Sequence, residues 1–490
     1  MSNESSEKLN RVPSHIRGLD EVLQGGFIKG GLYIVEGVPG TGKTILGNQI
    51  CFNEVKAGGM VLYVTLIAET VGRMLLNLRN MRFFDESVIG NGIFYISGFS
   101  ALKDEGLNGL LHLIRHEVSA HRSSIVVIDG FASASDSARS PEEMKIFVQQ
   151  MQTQADTSGC TVFLLTNPVE AKPAYEETMV DGIINLCSTL QASSSLREIH
   201  VRKFRGSSYL EGVHSYQISE EGIIVYPRME TLVSPGLTGN GAVQRISSGI
   251  PILDTMLGGG VPSRSMTMLV GPSGTGKTTL GLQFLSQSTK DEPGLLFGFY
   301  ESPARIQTKA RAMFTALAQG FESGLVEILW RSPREHLLDD LANSLLEAVK
   351  HKKVRRLLID GLAGFRKTLR SRPIEPFFAA LVEELRSEGV TTICTAEVAE
   401  IIGPTITAPL NGLSDVTDNH VLLRFIETGA SLYRLISILK VRDSSFDSGL
   451  RQLTITGTGI EIAEDHRSTE LILSSLAGRP ASMEITVGQK

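Results

Sequence analysis

Residues 37–44 read GVPGTGKT, and residues 271–278 read GPSGTGKT. Glycines at Gly37, Gly40 and Gly42, and again at Gly271, Gly274 and Gly276, let backbone N–H groups converge on an anion. A helix starting directly afterwards adds its positive end. Thr41 and Thr275 complete the two cradles. Lys43 and Lys277 supply the cation that reaches the β- and γ-phosphates of a nucleotide, and Thr44 and Thr278 each offer a hydroxyl to Mg²⁺. The chemistry implied is binding of Mg²⁺ and ATP, twice.

A phosphate loop needs a carboxylate at a neighbouring strand end to hold the metal's water shell. Asp129 closes the apolar run in SIVVIDGF, and Asp360 closes the one in RLLIDGL. A carboxylate directly after such a run is costly in a core without a partner of this kind. Hydrolysis also needs a group that orients or deprotonates water. The candidates are Glu69 in VTLIAET and Glu301 in FGFYESP, each after the apolar run that follows a phosphate loop. The alternative for either is a surface glutamate opening the next helix as a first-turn acid.

These residues must be held by strands and helices, and the elements come in duplicate. Lys43 and Lys277 stand 234 positions apart, as do Asp20 in GLDEVLQGG and Asp254 in PILDTMLGG. Asp129 and Asp360 are 231 apart; Lys203 in IHVRKFRG and Lys440 in ISILKVRD are 237 apart. The order is kept while the spacing drifts by a few residues, which marks tandem duplication of a whole domain. GLYIVEG, MVLYVTL, SIVVIDG and TVFLLTN read as buried strands in the first half. SMTMLVG, GLLFGFY, RRLLIDG and TTICTAE do so in the second. GLNGLLHLIRHEVSAH and LLDDLANSLLEAVKHK carry apolar positions at helical period. Strands alternating with helices predict an α/β fold, a mostly parallel sheet covered on both faces, in each half.

The chain has 490 residues, more than one core usually organises. The reading is an N-terminal tail at 1–12, a first domain at 13–232, a linker at 233–246, a second domain at 247–463 and a C-terminal tail at 464–490. A net charge of −6 argues against a surface tuned to nucleic acid. No apolar run reaches the ~18–20 residues that span a bilayer. The polar N-terminus lacks a signal peptide's apolar core, so a cytoplasmic location without membrane attachment is expected. Cys51, Cys160, Cys187 and Cys394 are scattered, and are expected as buried small apolar residues rather than a disulfide or metal set.

With the doubled loops and their flanking elements in hand, the chain resembles the KaiC family over nearly its full length. Those are circadian-clock-type ATPases and autokinases built from two tandem RecA-like P-loop domains. The resemblance implies a homohexamer of stacked rings with ATP at subunit interfaces. It also implies KaiB-like or signalling-kinase and response-regulator partners. Lys203 with Arg205, and Lys440 with Arg442, match the basic pairs that the family offers to the neighbouring subunit's nucleotide. Read from the residues alone, Lys-x-Arg on a strand is a solvated face. In LSDVTDNHVLLRF, Ser414 falls on the family's serine phosphoacceptor and Asp415 on its threonine, with the Thr417 hydroxyl nearby; otherwise Ser414 and Asp415 cap a turn. The family's consecutive glutamates are matched by Ala68-Glu69 and Tyr300-Glu301, each with only the second carboxylate kept. These departures mark a KaiC-like homologue rather than a standard clock protein. The competing readings are a RecA/RadA-like DNA-dependent ATPase and a nucleotide-binding scaffold with little turnover.

Overall fold

The structure, a computed structural model, describes residues 10–66, 71–168, 178–191, 194–232, 244–332, 337–368, 372–398, 412–428 and 431–464. Contacts divide the chain into two units, with the division between Thr231 and Leu232. The expected linker falls largely outside the described residues.

In the first unit the strand Leu32–Gly37 is buried at every position. Leu32 and Ile34 enter the core on one face, while Tyr33 and Val35 enter the core on the other. Alternating side chains buried on both faces are what a sheet between two helical layers requires. Nine strands among the described residues form one sheet. Their order is Ile93–Ser97, Val61–Thr65, Ile125–Asp129, Thr161–Thr166, Leu32–Gly37, Gly182–Gln191, Ser194–Phe204, Val213–Ser219 and Gly222–Tyr226. The first six are parallel; the last three continue as an antiparallel meander.

The second unit repeats the order strand for strand: Val326–Trp330, Gly294–Gly298, Arg356–Asp360, Thr391–Glu397, Met266–Gly271, Asn419–Thr428, Ser431–Val441, Arg451–Thr456 and Gly459–Ile462. Each unit is thus a mostly parallel, helix-flanked sheet of RecA-like type. The meanders and the edge strands Ile93–Ser97 and Val326–Trp330 lie outside the apolar runs read as strands. Several are only partly buried, as Val213–Ser219 and Val326–Trp330 are, and mix polar with apolar residues, whereas Ile93–Ser97 and Gly222–Tyr226 are short apolar runs.

The repeated flanking segments prove to be clasps. Asp20 accepts hydrogen bonds from the backbone N–H of Ser14 at 2.7 Å and of His15 at 2.9 Å. Asp254 accepts from Ser248 N–H at 2.8 Å and from the Ser247 hydroxyl at 2.6 Å. Each carboxylate ties the chain's entry to a short helix, a structural role that survives duplication. Cys51, Cys160 and Cys394 are buried as expected, but Cys187 is exposed, because it lies on the outward side of a meander-facing strand. Among the described residues, no helix is long and apolar enough to cross a membrane.

Candidate nucleotide sites

Each phosphate loop links a buried strand to a helix, Leu32–Gly37 to Lys43–Lys56 and Met266–Gly271 to Lys277–Leu285. Gly42 (φ 96°) and Gly276 (φ 104°) occupy the left-handed region just before the helix, where a side chain is strained. A Cβ on Gly42 would also stand 2.6 Å from Ile218 Cδ1. Gly37 is needed for close approach, since its Cβ would meet the Leu186 carbonyl oxygen at 2.5 Å. The buried Thr41 and Thr275 hydroxyls donate back to Val38 O and Pro272 O, both at 2.8 Å, and fix the turn.

Parallel pairing then brings the strand ends together. Thr44 Oγ1 donates to Asp129 Oδ2 at 2.9 Å, and Thr278 Oγ1 to Asp360 Oδ1 at 3.1 Å. A hydroxyl beside one carboxylate is a hard-oxygen set that suits Mg²⁺, which keeps waters and phosphate oxygens for its remaining positions. No cluster of three or more His, Cys, Asp or Glu that could hold a metal ion occurs among the described residues. Burial pushes the Asp360 carboxyl above the ordinary aspartate range, although Thr395 and Thr278 oppose the shift with hydrogen bonds.

The loop lysines fold onto their own loops. Lys43 Nζ donates to Gly37 O, to Val38 O at 3.3 Å and to Asn167 Oδ1 at 3.3 Å. Lys277 Nζ donates to Gly271 O and Pro272 O, both at 2.7 Å. Burial lowers the basicity of both ammonium groups, against the pull of Asp129 on Lys43 and of Glu397 and Asp360 on Lys277. In the first unit the loop opens on a cavity of about 520 Å³, lined by Lys43, Thr44, Asp129, Asn167, Arg197 and Ile218 among others. That volume is within the ~300–1,000 Å³ usual for small-molecule sites.

Glu69 and Ala68 lie outside the described residues. Glu301 is described, and it is not a first-turn acid: it precedes Ser302, the N-cap of the helix Pro303–Met313. Its two carboxylate oxygens each accept from Lys309 Nζ at 3.1 Å. Thr65 pairs with Asp129, and Gly298 pairs with Asp360. Counted from those equivalent points, Glu301 is three residues on and Glu69 four, so the glutamates are one residue out of step.

Lys203, Arg205, Lys440 and Arg442 do not join the loop of their own unit. Lys203 pairs with Ile183, near the start of the phosphate-loop strand, whereas Gly37 at its end pairs with Leu186. Arg205 N–H donates to Asp181 O, two residues further back. At ~3.3 Å per residue the basic pair is on the order of 15 Å from its own loop along the sheet. Lys203 Nζ and Arg205 Nη2 both donate to Thr178 O, at 3.1 and 2.7 Å. In the second unit Lys440 Nζ donates to Ser414 O at 2.6 Å and Thr417 O at 2.9 Å, and Arg442 to Asp415 O at 3.1 Å. Ser414 therefore sits at the pole of the basic pair. Thr417 is fully buried, its hydroxyl shared between Leu413 O at 2.9 Å and His420 Nε2 at 2.6 Å.

Four kinds of residue join the sites that were not singled out in the sequence. Asn167 and Glu397 follow or end the strand beside each phosphate loop; Glu397 pairs directly with Gly271. Tyr63 OH donates to Asp129 Oδ2 at 2.8 Å, and Thr395 Oγ1 to Asp360 Oδ1 at 2.9 Å. Arg197 lines the first cavity, while Arg434 Nε donates to Gly274 O at 3.1 Å. Lys309 holds Glu301. A polar residue at a strand end was a readable signal for Asn167 and Glu397. Tyr63 and Thr395 are hidden inside strand patterns.

The KaiC ATPase family description matches residues 12–230 and again residues 246–467. The chain is 24% identical to the circadian clock oscillator protein KaiC of Rippkaea orientalis, over 99% of this chain and 94% of that one. It is 26% identical to the protein of that name from Picosynechococcus, over 98% and 95%. It is 24% identical to circadian clock oscillator protein KaiC 1 of Synechocystis, over 97% and 93%.

Proposed function

Because the chain belongs to the KaiC family of ATPases, matched in both of its repeats, we propose that it binds and hydrolyses ATP at two sites. The observation that carries this reading is the recurrence, in both units, of a loop lysine with a threonine hydroxyl on a strand-end aspartate. Lys43 and Lys277 bind the terminal phosphates, and Thr44 with Asp129, and Thr278 with Asp360, hold Mg²⁺. The bound Mg²⁺ supplies charge neutralisation of the phosphates. Glu301 orients the attacking water in the second unit, and Glu69 does so in the first.

The sites are completed by assembly. Lys203 with Arg205, and Lys440 with Arg442, stand at the far pole of their sheets and so serve a neighbouring copy's nucleotide, in a homohexamer with ATP at the interfaces. A cation delivered across an interface stabilises charge on the transferred phosphoryl and couples turnover to assembly. Nucleotide state then controls binding of KaiB-like or kinase and response-regulator partners. Ser414, at the pole of the second basic pair, is the acceptor for phosphoryl transfer from the neighbour. Asp415 accepts no phosphate, and the Thr417 hydroxyl is enclosed.

The test is steady-state ATP turnover by the purified chain beside a Lys43→Ala/Lys277→Ala double variant, with particle mass measured with and without ATP. Turnover above background in the parent, lost in the double variant and accompanied by an ATP-dependent hexamer, is the expected result. Equal turnover in the two proteins would remove the proposal. Intact mass after incubation with Mg²⁺ and ATP reads the Ser414 step separately: one added phosphate, absent in Ser414→Ala, is expected.

A further inference from the structure

Glu301 and Lys309 form an ion pair about one-third exposed on both sides. Exposed pairs of that kind contribute little to stability, so fold maintenance gives little reason for it. Its location is what counts. Glu301 lies three residues past Gly298, whose strand neighbour is Asp360. Lys309 stands within the helix Pro303–Met313, eight residues beyond Glu301, so the carboxylate lies back along that helix instead of pointing into solvent. Asp360, raised chiefly by its own burial, also feels the charges of Glu301 and Lys309, so all three groups share one electrostatic neighbourhood.

Asp360 feels the negative charge of Glu301, and Glu397 stands at the strand end beside Gly271, where its charge reaches Lys277. Lys277 is the cation at the loop. Lys309 contacts both oxygens of Glu301, the carboxylate read as the water-orienting group. In the first unit the positions eight residues beyond Ala68 and Glu69 hold Leu76 and Asn77.

We propose that Lys309 is a positioning residue of the second site, which holds the Glu301 carboxylate in place just past the strand end that neighbours Asp360. This rests on the reading of Glu301 as the water-orienting group. Lys309 binds no substrate; it acts through Glu301.

The experiment uses the full chain carrying Lys43→Ala, so that turnover reports the second site. Lys309→Met lowers kcat about tenfold, the order expected when a general base loses its aim. Affinity for a non-hydrolysable ATP analogue, measured by calorimetry, stays within about twofold, so that the loss is in the catalytic step and not in binding. Lys309→Arg recovers most of the rate, because a guanidinium also meets both carboxylate oxygens. In a Glu301→Gln background, Lys309→Met has no further effect. An equal loss in both backgrounds, an unchanged rate in Lys309→Met, or no recovery with arginine would each overturn the inference. Glu301→Gln turning over at the parent rate is a separate outcome: it removes the reading of Glu301 and this inference along with it.

Discussion

In the first unit Lys43 meets the amide of Asn167 at 3.3 Å, whereas in the second Lys277 lies under the charge of Glu397. The aspartates differ in the same way: Asp129 accepts from the phenol of Tyr63, and Asp360 from the hydroxyl of Thr395. The donors reach the carboxylate from different strands, Val61–Thr65 in one case and Thr391–Glu397 in the other. The loops share one geometry, while their surroundings carry different charge. Duplication preserved the loop and left the neighbouring positions free to diverge, so the two lysines stand in different charge surroundings.

That contrast can be broken at the lysines. Lys43→Ala and Lys277→Ala should each lower turnover of their own site by at least about 100-fold, as loss of a principal transition-state cation does. The residual rate of each variant then reports the other site. Were either single substitution to abolish all turnover, the two sites would not be independent engines.

The neighbours give a smaller and more discriminating test. Glu397→Gln should tighten binding of an ATP analogue at the second site about tenfold, by removing one anion from the phosphate pole. Asn167→Glu should weaken binding at the first site by a similar factor. Calorimetry on each variant, with the other site's lysine replaced by alanine, reads both. Unchanged affinities would mean that Glu397 and Asn167 face away from the bound phosphates.

The smallest effect concerns the second unit alone. Burial, with the Lys440 charge beside it, lowers the His420 imidazole from 6.5 to about 4, and Asp418 opposes the shift. The folded state therefore keeps His420 neutral while the unfolded chain takes up a proton. The stability from that neutral imidazole is present above pH 6.5 and is lost as pH falls from there towards 4. His420→Gln should flatten this acid dependence in thermal unfolding of the chain. A parent whose unfolding temperature is level between pH 6.5 and 4.5 would contradict it. The first unit carries Ile183 at the equivalent strand position.

Much of this was legible before any folding. Loop glycines, lysines, threonines and strand-end aspartates are read from identity and spacing, since a phosphate cradle is local and its metal carboxylate closes an apolar run. Four of the six parallel strands in each unit were equally plain, because burial on both faces leaves a continuous apolar stretch. The meander was not, as half-exposed strands such as Val213–Ser219 dilute that signal. Lys309 was invisible for a different reason: eight residues of separation on a helical stretch carry no message until the preceding strand end turns Glu301 back along the helix. Glu69, outside the described residues, keeps only its sequence argument.

The sequence by itself determined two α/β units, two glycine-rich loops and the candidate pairs Thr44 with Asp129 and Thr278 with Asp360, because those depend on short-range pattern and on which strand ends a parallel sheet must align. Only the tertiary structure decided what stands next to them. It set Asn167 against Lys43 and Glu397 against Gly271, and Lys309 on Glu301. It also sent Lys203, Arg205, Lys440 and Arg442 to the pole away from their own loops. Those juxtapositions follow from strand register and from the direction in which a meander returns, and neither leaves a local mark in the chain.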